Sequence, residues 1–177
     1  MDRSAVISDC GFYRYRLDRR FGDGPCVMFL MVNPSTADAT IDDATIRKCV
    51  GFAGRWGFGR IVVGNKFAFR ATDVKELRKI TDPVGPENNE HLRLMMTESD
   101  MVVAAWGSLS KLPETLRSRW KDIVTMADAA QRDLAAIGIC ADGHPMHPLM
   151  PAYREWHDWS VPWFANRATL PTEGPAR

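Results

Sequence analysis

No apolar stretch in this chain approaches the roughly 20 residues a membrane-spanning helix needs. Runs such as "CVMFLMV" (26–32) and "MVVAAW" (101–106) suit buried strands instead. The N-terminus, "MDRSAVISDCGFYRYR", lacks the apolar centre of a secretory signal, so the sequence reads as cytoplasmic. Cysteine is scarce: Cys10, Cys26, Cys49 and Cys140 form no C-x-x-C pair and fit neither a zinc ribbon nor a cluster framework. No metal, disulfide or cofactor is expected. There is no G-x-x-x-x-G-K-[ST] loop and no G-x-G-x-x-G, which excludes the common nucleoside-triphosphate and dinucleotide folds. A strong charge of either sign is also missing. The net charge of +1 argues against a nucleic-acid coat protein. It is compatible with an enzyme touching a few phosphates, because affinity follows local basic groups. Those groups are "YRYRLDRR", "RKC" (47–49), Arg117, Arg119 and Lys121, each of which, taken alone, reads as a solvated face.

What remains is the composition of a globular domain, 45% apolar and 25% charged over 177 residues. Strand-like runs at "YRYRL", 26–32, "RIVVG" (60–64), 101–106 and "LAAIGIC" (134–140) alternate with helical segments. Those segments are "DDATIRKCVGFAGRWG" capped by Asp42 or Asp43, "VKELRKI" capped by Thr72 or Asp73, "ENNEHLRLMMTE" after Pro86, and "PETLRSRWKDIVTMADAAQR". Continuous apolar strands separated by helices predict an α/β fold with a mostly parallel central sheet covered on both faces. One domain is expected over residues 1–165, with a loosely ordered tail at 166–177.

Each main strand ends in something chemically specific. The first gives Asn33-Pro34-Ser35-Thr36, the second Asn65 and "KFAFRAT", the third Trp106-Gly107-Ser108, and the fourth "ADGHPMHPLM" with His144 and His147. In an open α/β sheet ligands bind outside the carboxyl ends of the strands, so these groups are expected to share one rim. No serine or cysteine sits with a base in a local acyl-transfer motif. Amides suit a planar heterocycle, since asparagine both donates to and accepts from a base edge.

The order of these endings resembles the uracil-DNA glycosylase superfamily. "MVNPS" is similar to the Asn-Pro motif of its mismatch-specific branch, "IVVGNKFAFR" to its base-reading block, "VVAAWGSLSK" to a Trp-Gly strand end, and "GHPMHPLM" to the His-Pro loop and leucine wedge. The chain also looks like a bacterial family catalogued as a domain of unknown function, through "NPSTAD" and "DDATIRKC". The glycosylase resemblance implies a single-domain three-layer α/β/α sandwich and base flipping from DNA. It implies that Asn33 positions the attacking water, with Asp38, Asp42 or Asp43 supplying a carboxylate near the oxocarbenium-like sugar. Asp42 and Asp43 serve equally well as helix caps. Either His144 or His147 would donate to the departing base, because the loop carries one residue more than the usual spacing. Pro34, Ser35, Asn65, Phe67 and Trp106 would line the base site, with Phe52 or Phe69 as other stacking candidates. Gly107, Ser108, Lys111, Leu149, Met150, Tyr153 and Arg154 would face DNA, Leu149, Met150 and Tyr153 in the wedge position, with contacts from Trp156, Trp159 and Trp163 or packing of these as a cap.

In the uracil-specific branch a tyrosine follows the proline and crowds C5 of the base; here Ser35 stands there. The expected substrate is therefore a damaged or C5-modified pyrimidine, such as hydroxymethylated or glucosylated cytosine of phage DNA, and the chain a monomer acting on DNA. Uracil or mismatch repair, hydrolysis of free nucleosides or nucleotides, and a non-catalytic nucleic-acid-binding module are the alternatives.

Overall fold

The computed structural model describes residues 2–159. Trp163, the end of the expected domain at 165 and the expected loose tail at 166–177 lie outside the described residues. The elements run β1 (Asp2–Ile7), β2 (Arg14–Arg20), β3 (Cys26–Met31), α1 (Ala44–Arg55), β4 (Arg60–Asn65), α2 (Asn88–Glu98), β5 (Met101–Ala104), α3 (Trp120–Ala129), β6 (Leu134–Ala136) and β7 (His157–Asp158). Short 3₁₀ turns occupy Val74–Lys79, Leu109–Lys111 and Glu114–Arg119. The last of these breaks the single helix expected from 113 onward.

The fold is α/β around one seven-stranded sheet of order β1-β2-β4-β3-β5-β6-β7. β3 pairs in parallel with β4 and β5, and β5 in parallel with β6. β1–β2, β2–β4 and β6–β7 are antiparallel. The sheet is thus mixed, which corrects the expectation of a mostly parallel one. The reason is local: β1 and β2 are joined by a hairpin, and a short link permits only antiparallel pairing. The polar "DRSAVI" of β1 gave no strand signal.

All six residues of β3 are buried, and their alternation splits the core. Val27, Phe29 and Met31 pack with Ile46, Cys49, Phe52 and Ala53 of α1. Met28 and Leu30 pack on the other face with Leu92 and Met95 of α2 and Ile123 and Met126 of α3. Each such side chain stabilises the fold by about 1.5–3 kcal/mol on burial.

The basic stretch "YRYRLDRR" is only partly the solvated face its composition suggests. Arg14 and Arg19 are 2% and 0% exposed. Arg19 Nε donates to Asp42 Oδ1 at 2.6 Å, and its terminal nitrogens donate to the carbonyls of Asp18 (2.7 Å) and Asp38 (2.5 Å). This guanidinium holds the 38–42 loop against the sheet. It also settles the helix cap: Asp42 belongs to Arg19, and Asp43 Oδ1 accepts the Ile46 N–H at 2.9 Å. Between Val6↔Arg16 and Ile7↔Arg14 the register shifts, leaving Tyr15 as a bulged residue. The bulge turns Tyr15 onto His91 of α2, rings 5.0 Å apart, and turns Arg14 toward the α1 face, where it donates to the Ala37 carbonyl at 2.5 Å.

Arg19→Ala strands the Asp42 carboxylate and two loop carbonyls. We predict a loss of about 3–5 kcal/mol, measured by denaturant unfolding. A loss within experimental error would show that the loop is held by other contacts.

Candidate functional site

Because β4, β3, β5 and β6 are parallel and adjacent, their carboxyl ends meet on one rim, as expected. A cavity of about 340 Å³ opens there on the α1 side, lined by Arg14, Asn33, Ser35, Asp43, Thr45, Thr72 and His147 over a floor of Met31 and Ile46. Five separate stretches of chain supply the polar groups.

Asn33 leaves β3 and is fixed by its amide nitrogen, which donates to the carbonyls of Ala71 at 2.6 Å and Pro34 at 3.1 Å. Ala71 N–H returns a bond to Pro34 O at 3.0 Å, so the two segments after β3 and β4 are clamped together. Asn33 Oδ1 accepts no hydrogen bond among the described residues and is available to a ligand. Asp43 comes from the start of α1, where one oxygen caps the helix.

His147 arrives from the loop after β6. Gly107 donates its N–H to Pro145 O at 2.8 Å, and its φ of +75° is a conformation that would strain any side chain there, while a Cβ would meet His147 Cβ only in ordinary contact at 3.5 Å. Asp142 ties the two loops by accepting from Ser108 Oγ (2.7 Å) and the Leu109 N–H (2.8 Å). His147 Nδ1 accepts the Leu149 N–H at 3.4 Å, which leaves the proton on Nε2. Burial, and then the nearby Lys111 charge, hold its pKa below the usual 6.5, so the ring is neutral at pH 7.

His144, the other candidate, lies on the opposite face. It accepts from Trp106 Nε1 at 3.4 Å and packs edge-on to Trp120, 5.2 Å between ring centroids. Only His147 lines the cavity. Asp38 is likewise taken by structure: its Oδ1 accepts from Thr40 N, Thr40 Oγ1 and Ile41 N, and it is not part of the lining. Phe67 and Trp106 are core residues, in the clusters of Leu77 and of Trp159 respectively, rather than walls of a base site. Phe52 packs from α1 onto the sheet, and Phe69 packs against Phe12 and Tyr13. Pro34 is buried, and Ser35 reaches both this cavity and a neighbouring groove of about 450 Å³ with Thr36, Arg70, Thr72 and Glu76.

Asn65 stands beside Met31 in the register, is 1% exposed, and has no partner for either side-chain atom among the described residues. It lies next to the cavity lining without belonging to it. Leaving such groups unpaired costs about 1–3 kcal/mol each.

Of the expected DNA-facing group, Leu149 and Met150, two and three residues after His147, are 49% and 66% exposed, and Lys111, whose charge acts on His147, is exposed. Tyr153 is already engaged on α1: Phe52 meets it edge-on, Lys48 and Arg55 cover its ring at 4.1 and 3.7 Å, and Gly51 leaves the space it occupies. Arg154 holds the same strap through its carbonyl, which accepts from Trp56 Nε1 at 2.9 Å. Trp159 is buried and packs on Trp106 as a cap, whereas Trp156 is 40% exposed.

Arg14 and Thr45 were not anticipated at the site, and Lys66 and Thr72 lie in the "KFAFRAT" stretch expected at the rim without having been singled out there. The sequence signal for Lys66 is a single charge inside "VVGNKFAF". Lys66 is fully buried, its Nζ has no hydrogen-bond partner among the described residues, and it lies 5.2 Å from the Trp106 ring centroid. Burial, then the Arg119 charge, draws its pKa down to about 7.

Among the described residues no group of three or more His, Cys, Asp or Glu side chains is arranged to hold a metal, and no helix is long and apolar enough to cross a membrane. All four cysteines are free.

The architecture defines an α/β protein with a polar cavity at the carboxyl rim of its parallel strands. The chain belongs to the family described as "Protein of unknown function (DUF1643)", whose model matches residues 14–149, from Arg14 of the cavity wall to Leu149 beyond His147. No curated protein and no solved structure matches it.

The unfolded chain binds a proton at Lys66 up to about pH 10.5 and the folded one only to about pH 7, so stability rises through that window. We predict that Tm increases between pH 7 and 9, and that Lys66→Met raises Tm at pH 7 and flattens the rise. An unchanged slope in Lys66→Met would assign the effect to other groups.

Proposed function

We propose that this chain is a DNA glycosylase that hydrolyses the N-glycosidic bond of a damaged or C5-modified pyrimidine. The observation that carries the proposal is the convergence of Asn33, Asp43 and His147 on one cavity beside exposed Leu149 and Met150. Helices on both faces of four adjacent parallel strands suit the three-layer architecture of the uracil-DNA glycosylase superfamily.

In this reading the free Oδ1 of Asn33 orients a water toward the anomeric carbon. The uncommitted oxygen of Asp43 provides the negative charge that an oxocarbenium-like transition state needs. Neutral His147 donates from Nε2 to the base oxygen on which charge accumulates as the bond breaks. Small polar walls at Ser35, Thr36 and Thr72, continuous with the outer groove, leave room for a polar C5 substituent such as a hydroxymethyl group or a sugar. Leu149 and Met150 fill the gap left by the extruded nucleotide. The commitment of Tyr153 to α1 favours one rival, a hydrolase of free nucleotides, which would use the same cavity without a wedge.

The test is abasic-site formation on duplexes carrying uracil, a thymine mismatch, 5-hydroxymethylcytosine or its glucosylated form. Asp43→Asn keeps a good helix cap and should fold normally. We predict that Asn33→Ala, Asp43→Asn and His147→Ala each slow base release by about 10²-fold or more. Leu149→Ala with Met150→Ala should impair duplex substrates while sparing free nucleotides. Absence of base release from every substrate, or full activity in Asp43→Asn and Asn33→Ala, would refute the assignment.

A further inference from the structure

Two arginines of β2 are buried, and only one is satisfied. Arg19 faces Asp42 and several carbonyls. The Arg14 side chain makes a single hydrogen bond, to the Ala37 carbonyl, and no ion pair among the described residues. Its Nε is buried without a partner, and its side chain lines the cavity. Isolated buried charges cost several kcal/mol and persist where something supplies the counter-charge. Burial pulls the Arg14 pKa down to about 10, against which the Asp43 charge works, so the group stays protonated at pH 7. The same wall carries the start of α1, where the N–H groups of Ala44 and Thr45 have no intrahelical acceptor.

We propose that Arg14, with the first turn of α1, is an oxyanion-binding residue, and that the occupant of the cavity presents a singly charged oxygen to it. A single charge is favoured because the Asp43 carboxylate faces the same space and repels a second one. A nucleic-acid ligand offers two such groups, the phosphodiester and the oxygen of a base that is ionised or departing as an anion. In the second case Arg14 and His147 share the leaving group. The inference rests on the glycosylase reading for the second source and is independent of it for the first.

The experiment uses the full chain and two charged/neutral pairs of probes, with Tm as the readout. One pair is a thymidine dinucleotide and its uncharged methylphosphonate counterpart. The other is 5-nitrouracil, ionised at neutral pH, and uracil. At about a hundredfold excess over Kd, binding to the folded state raises Tm by roughly 5–10 °C for a chain of this size. At least one charged probe is expected to do so for the native chain while its neutral partner does not, and the responding pair names the source. Arg14→Gln should abolish the response, and Arg14→Lys, which keeps the charge and loses the fork, should weaken it at least tenfold in Kd. Without probe, Arg14→Met should match or exceed the native Tm, unlike Arg19→Met. The proposal is overturned if no charged probe acts, if neutral probes act equally, if Arg14→Gln responds like the native chain, or if Arg14→Met is clearly less stable. Base release that proceeds undiminished in Arg14→Gln would remove the Arg14 role and leave the glycosylase. Charged-probe binding by a chain that releases no base would do the reverse.

Discussion

The structure hangs on the double pairing of β3. This strand is hydrogen-bonded in parallel on both edges and buried on both faces, so its direction sets that of β4 and β5. β6 then follows β5. Four carboxyl ends are thereby brought to one rim, and the polar groups of the cavity emerge from those ends, from the α1 terminus packed beside them and, for Arg14, from the start of antiparallel β2. A reversal of any one strand would send its loop to the far edge of the sheet, more than a strand length from the others.

The rim carries features that stability alone would not select. Lys66 Nζ, Oδ1 and Nδ2 of Asn65, Oδ1 of Asn88 and Nε of Arg14 are buried without hydrogen-bond partners among the described residues. Native interiors hold few such groups, and these concentrate around the strand ends and the cavity rather than through the core. The frame holding them is well paired by contrast. Asn88 Nδ2 and Arg119 Nε both donate to the Lys66 carbonyl, and Arg19 secures the loop leading to Asp43. A rigid surround around unpaired polar groups is the arrangement expected where a ligand completes the hydrogen bonding.

Much of the cavity lining was legible in residue type and position. Asn33, Asp43 and His147 follow strand ends or a capping signal, and such signals depend on a few neighbouring residues. The misreadings share a different cause. Phe67 and Trp106 are aromatic residues at strand ends, and composition does not say which face of the sheet receives them. Tyr153 looked free because its partner, the gap at Gly51, lies about a hundred residues earlier in the chain. Arg14 and Arg19 looked like surface charge because their burial depends on a bulge and on a loop that pairs with them from a distance.

The sequence by itself determined the alternation of strands and helices, the Asp-capped start of α1 and the chemical character of the four strand ends. Those features follow from apolar periodicity and local backbone preference, which act over a few residues. Tertiary structure decided the mixed pairing of the sheet, the placing of His147 rather than His144 in the cavity lining, the engagement of Asp38 and Asp42 in the loop, and the entry of Arg14 into the cavity. Each of those depends on which face a side chain takes, and a one-residue shift in register reverses the face of every residue beyond it.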